Sequence, residues 1–346
     1  MRVTELRKLI EKYSKDDLSK IIVELYKLIP KKVRDEKTVD MMLEDFQRYK
    51  EAEKKKRKKV KDVNVNDLER EIEQLLQNAY KQNYVIPNHY VSKKDRSKWR
   101  FKVKSYIKHL QQVPVAGKEG KRATDLLEEL YEMLCYGCGY LIFNTENPFR
   151  SVGIAQVELF DILLKRKFST GINSESISFA IKQVINCYLD MDTLRSDLIN
   201  VFIANLRTAD AKEIAIEQCH QLRMGLKQRT IAPAKETWDN HEYSRERKIN
   251  DLVETVFRLK IALCEYEAAI SYFKSNIQQR FKEVSLFILL NMLENYDQKD
   301  YWLREYETAV KEGIMPRDEL QYTYRYLKEK GQFNGFPKEA SHPQGM

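Results

Sequence analysis

Apolar residues recur every three or four positions along most of this chain, the period of helices that bury one face. Leu6, Leu9 and Ile10 follow a possible Thr4 cap. Leu18, Ile21, Ile22, Leu25 and Ile29 follow Ser14 and Asp17, and Pro30 ends the run. A third helix is expected from Asp35 through Met42 and Phe46 into the charged stretch AEKKKRKKVK at 52–61, a solvated helix end or a linker. Residues 1–61 therefore read as a small N-terminal helical module with a basic linker.

Residues 62–230 read as a central helical domain. Asn66 and Glu69 form a capping box ahead of Leu68, Ile72, Leu75, Leu76 and Ala79. After a loop at Tyr84–Tyr90, Ser92 and Asp95 start a strongly basic helix reaching Gln112. A loop at Pro114–Gly120 precedes a helix expected over Asp125–Cys135, which Gly137 and Gly139 should end. Pro148 introduces a helix over 151–167, and further helical patterns cover 175–189, 193–206 and 209–228. The segment RTIAPAKETWDN at 229–240 is a loop and a domain boundary.

From 241 to 331 the pattern is helix, short turn, helix. In ALCEYEAAISYFKSNI (262–277), Tyr266, Ala269 and Phe273 stand where an aromatic, a small residue and a second aromatic let two antiparallel helices pack closely. KDYWLREYETAVKEGIMP (299–316) repeats this loosely with Tyr301, Ala309 and Pro316. These roughly 85 residues resemble degenerate tetratricopeptide hairpins, although the family's first-helix Trp and Leu-Gly signature is missing. The resemblance implies stacked hairpins with a concave protein- or peptide-binding surface. YTYRYLKEK at 322–330 puts Tyr322 and Tyr326 on one face and Tyr324 on another, as packing at the end of a stack or as a peptide-binding wall. The tail, 332–346, reads as disordered.

Composition agrees with helices. The 346 residues include 11 Gly and 8 Pro, where average usage would give about 24 and 17. The longest apolar stretch, SLFILLNML at 285–293, is far short of a membrane span, and the N-terminus lacks a signal-peptide pattern. Five cysteines, an odd number, fit reduced thiols in a cytoplasmic protein.

Charge changes the picture. Residues 1–122 hold 33 Lys/Arg against 19 Asp/Glu, whereas 123–346 hold 28 against 33. A basic front part suggests a polyanionic partner. Lys54–Lys59 is six consecutive cations with no aromatic between them, a polyanion-contacting arm or a frayed soluble end. Lys93–Lys108 (KKDRSKWRFKVKSYIK) has eight cations and one Asp. As a helix it buries Trp99, Val103, Tyr106, Ile107 and Leu110 within one arc. Lys94, Lys98, Arg100, Lys102, Lys104 and Lys108 fan around Phe101, which would stack on a base while the cations meet phosphates. The alternatives are a solvated helix back with Phe101 packed under a neighbour, or a strand, since Lys98–Lys104 also alternates. The length and helical surroundings favour the helix.

Other chemistry fades on inspection. Cys135 and Cys138 form the only CxxC, and zinc needs four ligands. His89, His109, His220 and His241 are scattered, and only a Cys219–His220 pair brought in across the fold would complete a site. The two cysteines read as small residues at a helix end. GKEGK at 117–121 lacks P-loop spacing, and HEYSR at 241–245 is no zincin motif. Asp190 and Asp192 lack the glycine of a calcium loop; Asp190 or Thr193 is expected to cap a helix. No catalytic, cofactor or metal residue is assigned.

NAYKQNYVIPN, SKWRFKVKSY, LCYGCGYLIF and NPFRSVG resemble segments of bacterial helical proteins of uncharacterised function, a resemblance that implies no activity. The expectation is an all-α, α-solenoid-like stack of antiparallel hairpins behind a small helical module. Its expected role is a non-enzymatic, cytoplasmic protein-interaction or regulatory scaffold whose partner is another protein or peptide, with no membrane association. The alternative is a nucleic-acid-binding factor using the Lys93–Lys108 helix.

Overall fold

The computed structural model describes residues 9–52, 64–228 and 240–334. Among these residues there are helices and turns and no strand, so the fold is all-α. The Lys54–Lys59 run, the 229–239 loop and the tail beyond 334 lie outside the described residues. The chain divides into two compact units, one of residues 1–64 with 111–113 and one of the remainder.

In the first unit, α1 (Lys15–Leu28) starts where Ser14 Oγ accepts from the Asp17 backbone N–H at 3.2 Å, the expected cap. The third expected helix is instead broken into short pieces, α2 (Lys31–Lys37), α3 (Val39–Glu44) and a further helical stretch that is described over 46–52. Thr38 separates the first two in the left-handed region at φ 51, a conformation no helix interior tolerates. Tyr26 donates to Asp40 at 2.7 Å, and Arg34 lies 4.3 Å over its ring. The apolar stripe of α1 is not covered: no residue of α1 is buried, and Leu25 is 55% exposed. Helices of seven and six residues offer too little surface to cover it.

The second unit holds the core. The helix α4 (Val65–Tyr80) packs on the long helix α7 (Gly117–Gly139), and α9 (Gln156–Ser169) packs on α7 and on α11 (Arg195–Asn205). The helix α10 (Ser174–Asn186) begins in a capping box from Asn173 to Ser176 and meets α12 (Ala209–Gln228). Consecutive helices then pack as neighbours, α12 on α13 (Asn240–Ala262) and α13 on α14 (Tyr266–Asn276). The pair α15 (Lys282–Asn295) and α16 (Lys299–Lys311) follows, and α17 (Asp318–Lys330) closes the series on α16.

The loop expected at Pro114–Gly120 is shorter, because α7 already starts at Gly117; at its other end α7 continues past Cys135 and stops at Gly139, one of the two glycines expected to end it. Gly120 is required in its first turn by space: a Cβ would stand 2.1 Å from the Val115 carbonyl oxygen. Conversely, the helix expected over 151–167 is interrupted. Gly153, at φ 77, separates α8 (Pro148–Val152) from α9. Leu194, not Asp190 or Thr193, occupies the N-cap of α11, and Asp197 accepts from its backbone N–H at 2.8 Å. Asp190 instead accepts from the Asp192 N–H at 3.0 Å.

In the C-terminal hairpins Ala269 and Phe273 are buried, and Phe273 meets Phe257 of α13 edge-on at 6.0 Å. The small residue lets α13 and α14 approach closely. Tyr266 stacks on Tyr301 at 5.5 Å, but the fully buried aromatic of that turn is Trp302. Tyr324 stacks on Tyr306 at 4.4 Å, and Tyr322 on Tyr326 at 6.3 Å.

Candidate nucleic-acid interface

The basic segment forms two helices, α5 (Lys93–Arg96) and α6 (Trp99–Gln112), instead of one. Ser92 Oγ and Lys98 Nζ both donate to the Asp95 carboxylate, Lys98 at 2.7 Å. These two hydrogen bonds hold the Asp95 carboxyl down to about 2. The segment's one acid is thus already engaged by its own neighbours. The chain re-enters helix at Lys98, whose carbonyl accepts from the Phe101 and Lys102 N–H groups.

The expected buried arc is the one observed: Trp99, Val103, Tyr106, Ile107 and Leu110 are all buried. Trp99 lies on Phe143, and Tyr84 tilts against the far partner of that pair at 5.5 Å. Tyr106 donates to Glu71 of α4 at 2.9 Å. Burial and that carboxylate push its phenol up. A helix held by four or five inward residues has its opposite side free for other work.

That side holds every residue singled out from the sequence. Lys94, Lys98, Arg100, Phe101, Lys102, Lys104 and Lys108 are all exposed. Phe101 is 63% exposed, and the Arg100 guanidinium carbon sits 4.9 Å from its ring centre. Among the described residues Lys94, Lys102 and Lys108 make no ion pair, whereas Lys98 has Asp95. The Lys104 ammonium reaches the backbone at Gly153, where it stands 3.1 Å from the position a Cβ would take. Not every front-part cation is free in this way. Arg122 is neutralised by Glu69, Glu129 and Glu73, at 2.8, 3.1 and 3.6 Å.

A cleft of about 430 Å³ opens beside α5 and the start of α6. Lys93, Arg96 and Arg100 line it, together with the rings of Trp99 and Tyr84 and the hydroxyl residues Thr145 and Ser151. Lys93 and Arg96 belong to the basic segment read from the sequence without being named as site residues, and Thr145 and Ser151 were not picked out at all. The latter pair lies some fifty residues along the chain, Thr145 in the loop before α8 and Ser151 within α8. Only the fold brings them to the basic helix.

The remaining features have structural partners. Cys135 Sγ accepts from Gln156 Nε2 at 3.2 Å, and the same amide donates to the Tyr188 carbonyl at 2.9 Å. Gln156 thereby ties the turn after α10 to α7. Cys187 is pushed down to about 7 by a hydrogen bond from Cys135 and by the Arg195 guanidinium, 3.2 Å away. Cys138 donates within its own helix to the Leu134 carbonyl. Among the described residues no three His, Cys, Asp or Glu side chains gather as metal ligands would, and no helix is long and apolar enough to cross a membrane.

Comparison with known proteins finds no matching family model, no curated protein and no solved structure with a significant likeness to this chain.

Proposed function

We propose that this is a nucleic-acid-binding protein that holds single-stranded nucleic acid on the outer face of α6. The observation that carries this reading is Phe101, a large apolar ring 63% exposed within a ring of exposed cations. Water is a poor environment for such a ring, and a buried contact would have removed it from solvent. Stacked against a base it loses that apolar surface, worth about 1–3 kcal/mol per base, while Lys102 and Lys108 displace counterions from phosphates. A basic face with no interleaved aromatic would support only non-specific attraction. The five unpaired cysteines support a cytoplasmic setting for this role.

The test is binding of a fluorescent oligonucleotide across a salt series. The reading expects affinity that falls steeply with salt and is largely removed by Lys98→Glu with Lys102→Glu. Undiminished binding by the double variant ends it.

A second reading, a protein-interaction scaffold of tetratricopeptide-like hairpins, is supported by a different observation. A groove of about 310 Å³ runs between α14, α15 and α16, floored by Phe273, Leu286 and Leu289 with Lys274 and Glu305 at its wall. Glu305 is buried and bonded by Lys274 at 2.8 Å and Arg304 at 3.0 Å. This reading expects a protein partner that is retained after nuclease digestion and lost when Ser285→Arg fills the groove.

A further inference from the structure

The cleft beside α6 has a composition that the stacking face alone does not explain. Three cations line one cavity of about 430 Å³, and no carboxylate lines it among the described residues. Such a volume falls within the roughly 300–1,000 Å³ of small-ligand pockets. Lys93 has no ion pair among the described residues, and Arg96 commits only its Nε, to the Val91 carbonyl at 3.3 Å. Asp95, the acid nearest in sequence, is turned to Ser92 and Lys98.

The lining adds hydroxyls. Ser151 Oγ donates to the Asn147 carbonyl at 3.0 Å and toward Thr145 Oγ1 at 3.1 Å, so its proton must turn from these partners to meet a phosphate oxygen. Thr145 Oγ1 accepts from the Asn147 N–H at 3.2 Å, which fixes the hydroxyl pair in place. The apolar side, Trp99 and Tyr84, is rigid because both rings pack on Phe143.

Three cations are more than an internal phosphodiester, with one negative charge, would require. A phosphate monoester carries about −1.5 to −2 at neutral pH and offers three acceptor oxygens to Lys and Arg. Arg100 joins the cleft to the stacking face, since it lines the first and lies over Phe101 in the second.

We propose that this cleft binds the terminal phosphate monoester of a single-stranded nucleic acid, the strand then passing Arg100 onto Phe101. The inference rests on the nucleic-acid reading above and makes it specific: the protein recognises strand ends. A free nucleotide carries the same phosphate chemistry, so the test separates the two sources.

Three oligonucleotides of one sequence are compared by fluorescence anisotropy: 5′-phosphorylated, 3′-phosphorylated and without a terminal phosphate. Adenosine 5′-monophosphate is titrated separately by calorimetry. One terminal phosphate should tighten binding about tenfold or more, the scale of one charge-assisted hydrogen bond. Lys93→Gln with Arg96→Gln should abolish that advantage, so that all three strands bind alike. Lys102→Gln with Lys108→Gln should weaken all three strands alike and keep the ratio. Ser97→Glu, at an exposed position lining the cleft, is the second variant should the double one misfold, and it should also erase the ratio.

Equal, salt-sensitive affinity for all three strands overturns the cleft proposal and leaves the nucleic-acid reading standing. Binding of the mononucleotide alone, lost in the cleft variant, overturns the nucleic-acid reading and keeps a phosphate site with a free nucleotide as its ligand. No binding of any probe overturns both.

Discussion

Trp99 lies flat on Phe143, the ring centroids 3.7 Å apart and the planes within 12°. This stack sets the rotation of α6 about its axis. Phe101 follows two residues later, about 200° around the helix, and so faces solvent. The burial of one ring and the exposure of the other are the same geometric fact.

Removing the Trp99 ring should therefore affect stability and binding together. Trp99→Ala is expected to cost about 3–5 kcal/mol, the range for a buried Trp truncated in a core. Denaturant unfolding measures this. Oligonucleotide affinity of the folded fraction should fall as well, because α6 loses the contact that orients it.

Phe101→Ala should separate the two effects. Stability should change by less than about 0.5 kcal/mol, as for other exposed positions. Affinity for single strands should fall about 10- to 100-fold, following the stacking energy above. Lys102→Gln, by contrast, should lower the slope of log affinity against log salt by about 1. A normal affinity in Phe101→Ala would show that the exposed ring does not stack.

A pH effect is expected from Asp251 on α13. Burial pushes its carboxyl from 3.8 up to about 6, against the pull of Arg195 at 3.7 Å and Arg247 at 3.4 Å. The folded value exceeds the unfolded one, so the native state binds the proton more readily between about 4 and 6. This group's contribution is then fully present below pH 4 and is lost as pH rises through 6. Stability of Asp251→Asn relative to the parent should therefore improve from pH 4 to pH 7, by about 2 kcal/mol on this account. Melting curves across that window check the sign; a relative loss with rising pH would refute it.

Gly120→Ala tests the unexpected start of α7. The added Cβ would meet the Val115 carbonyl and not a movable side chain. A cost of about 1–3 kcal/mol is expected, as for overpacking, despite the better helix propensity of Ala. Unfolding midpoints give the answer, and a stabilised variant would mean the 114–120 segment yields easily.

Helical content was legible because the three-to-four-residue spacing is a local property. The arc Trp99, Val103, Tyr106, Ile107 and Leu110 could be drawn from the sequence, and all five are buried. Boundaries were less legible where a contact outside the segment decides them. The glycines at 137 and 139 read as the end of the helix, and α7 does stop at Gly139; both lie in its last turn, where neighbouring groups leave no room for a Cβ: Pro148 at the first, the Tyr188 ring at the second. Their small size is used for packing, and neither has a positive φ. In the N-terminal module, periodicity placed α1 correctly but implied a buried face that the short α2 and α3 do not supply.

By itself the sequence determined that the chain is helical, which side of the Trp99–Gln112 helix is apolar, and that its front part carries the excess cations. Those follow from side-chain chemistry at fixed spacing. Only the tertiary structure decided which cations remain available, since Arg122 is consumed by three carboxylates from α4 and α7 while Lys102 and Lys108 meet none among the described residues. It also decided that Phe101 stays exposed among the described residues, and that Thr145 and Ser151 line one cleft with Lys93, Arg96 and Arg100. Periodicity orients a side chain about its own helix axis; what lies beyond it depends on segments distant in sequence, whose approach no local spacing records.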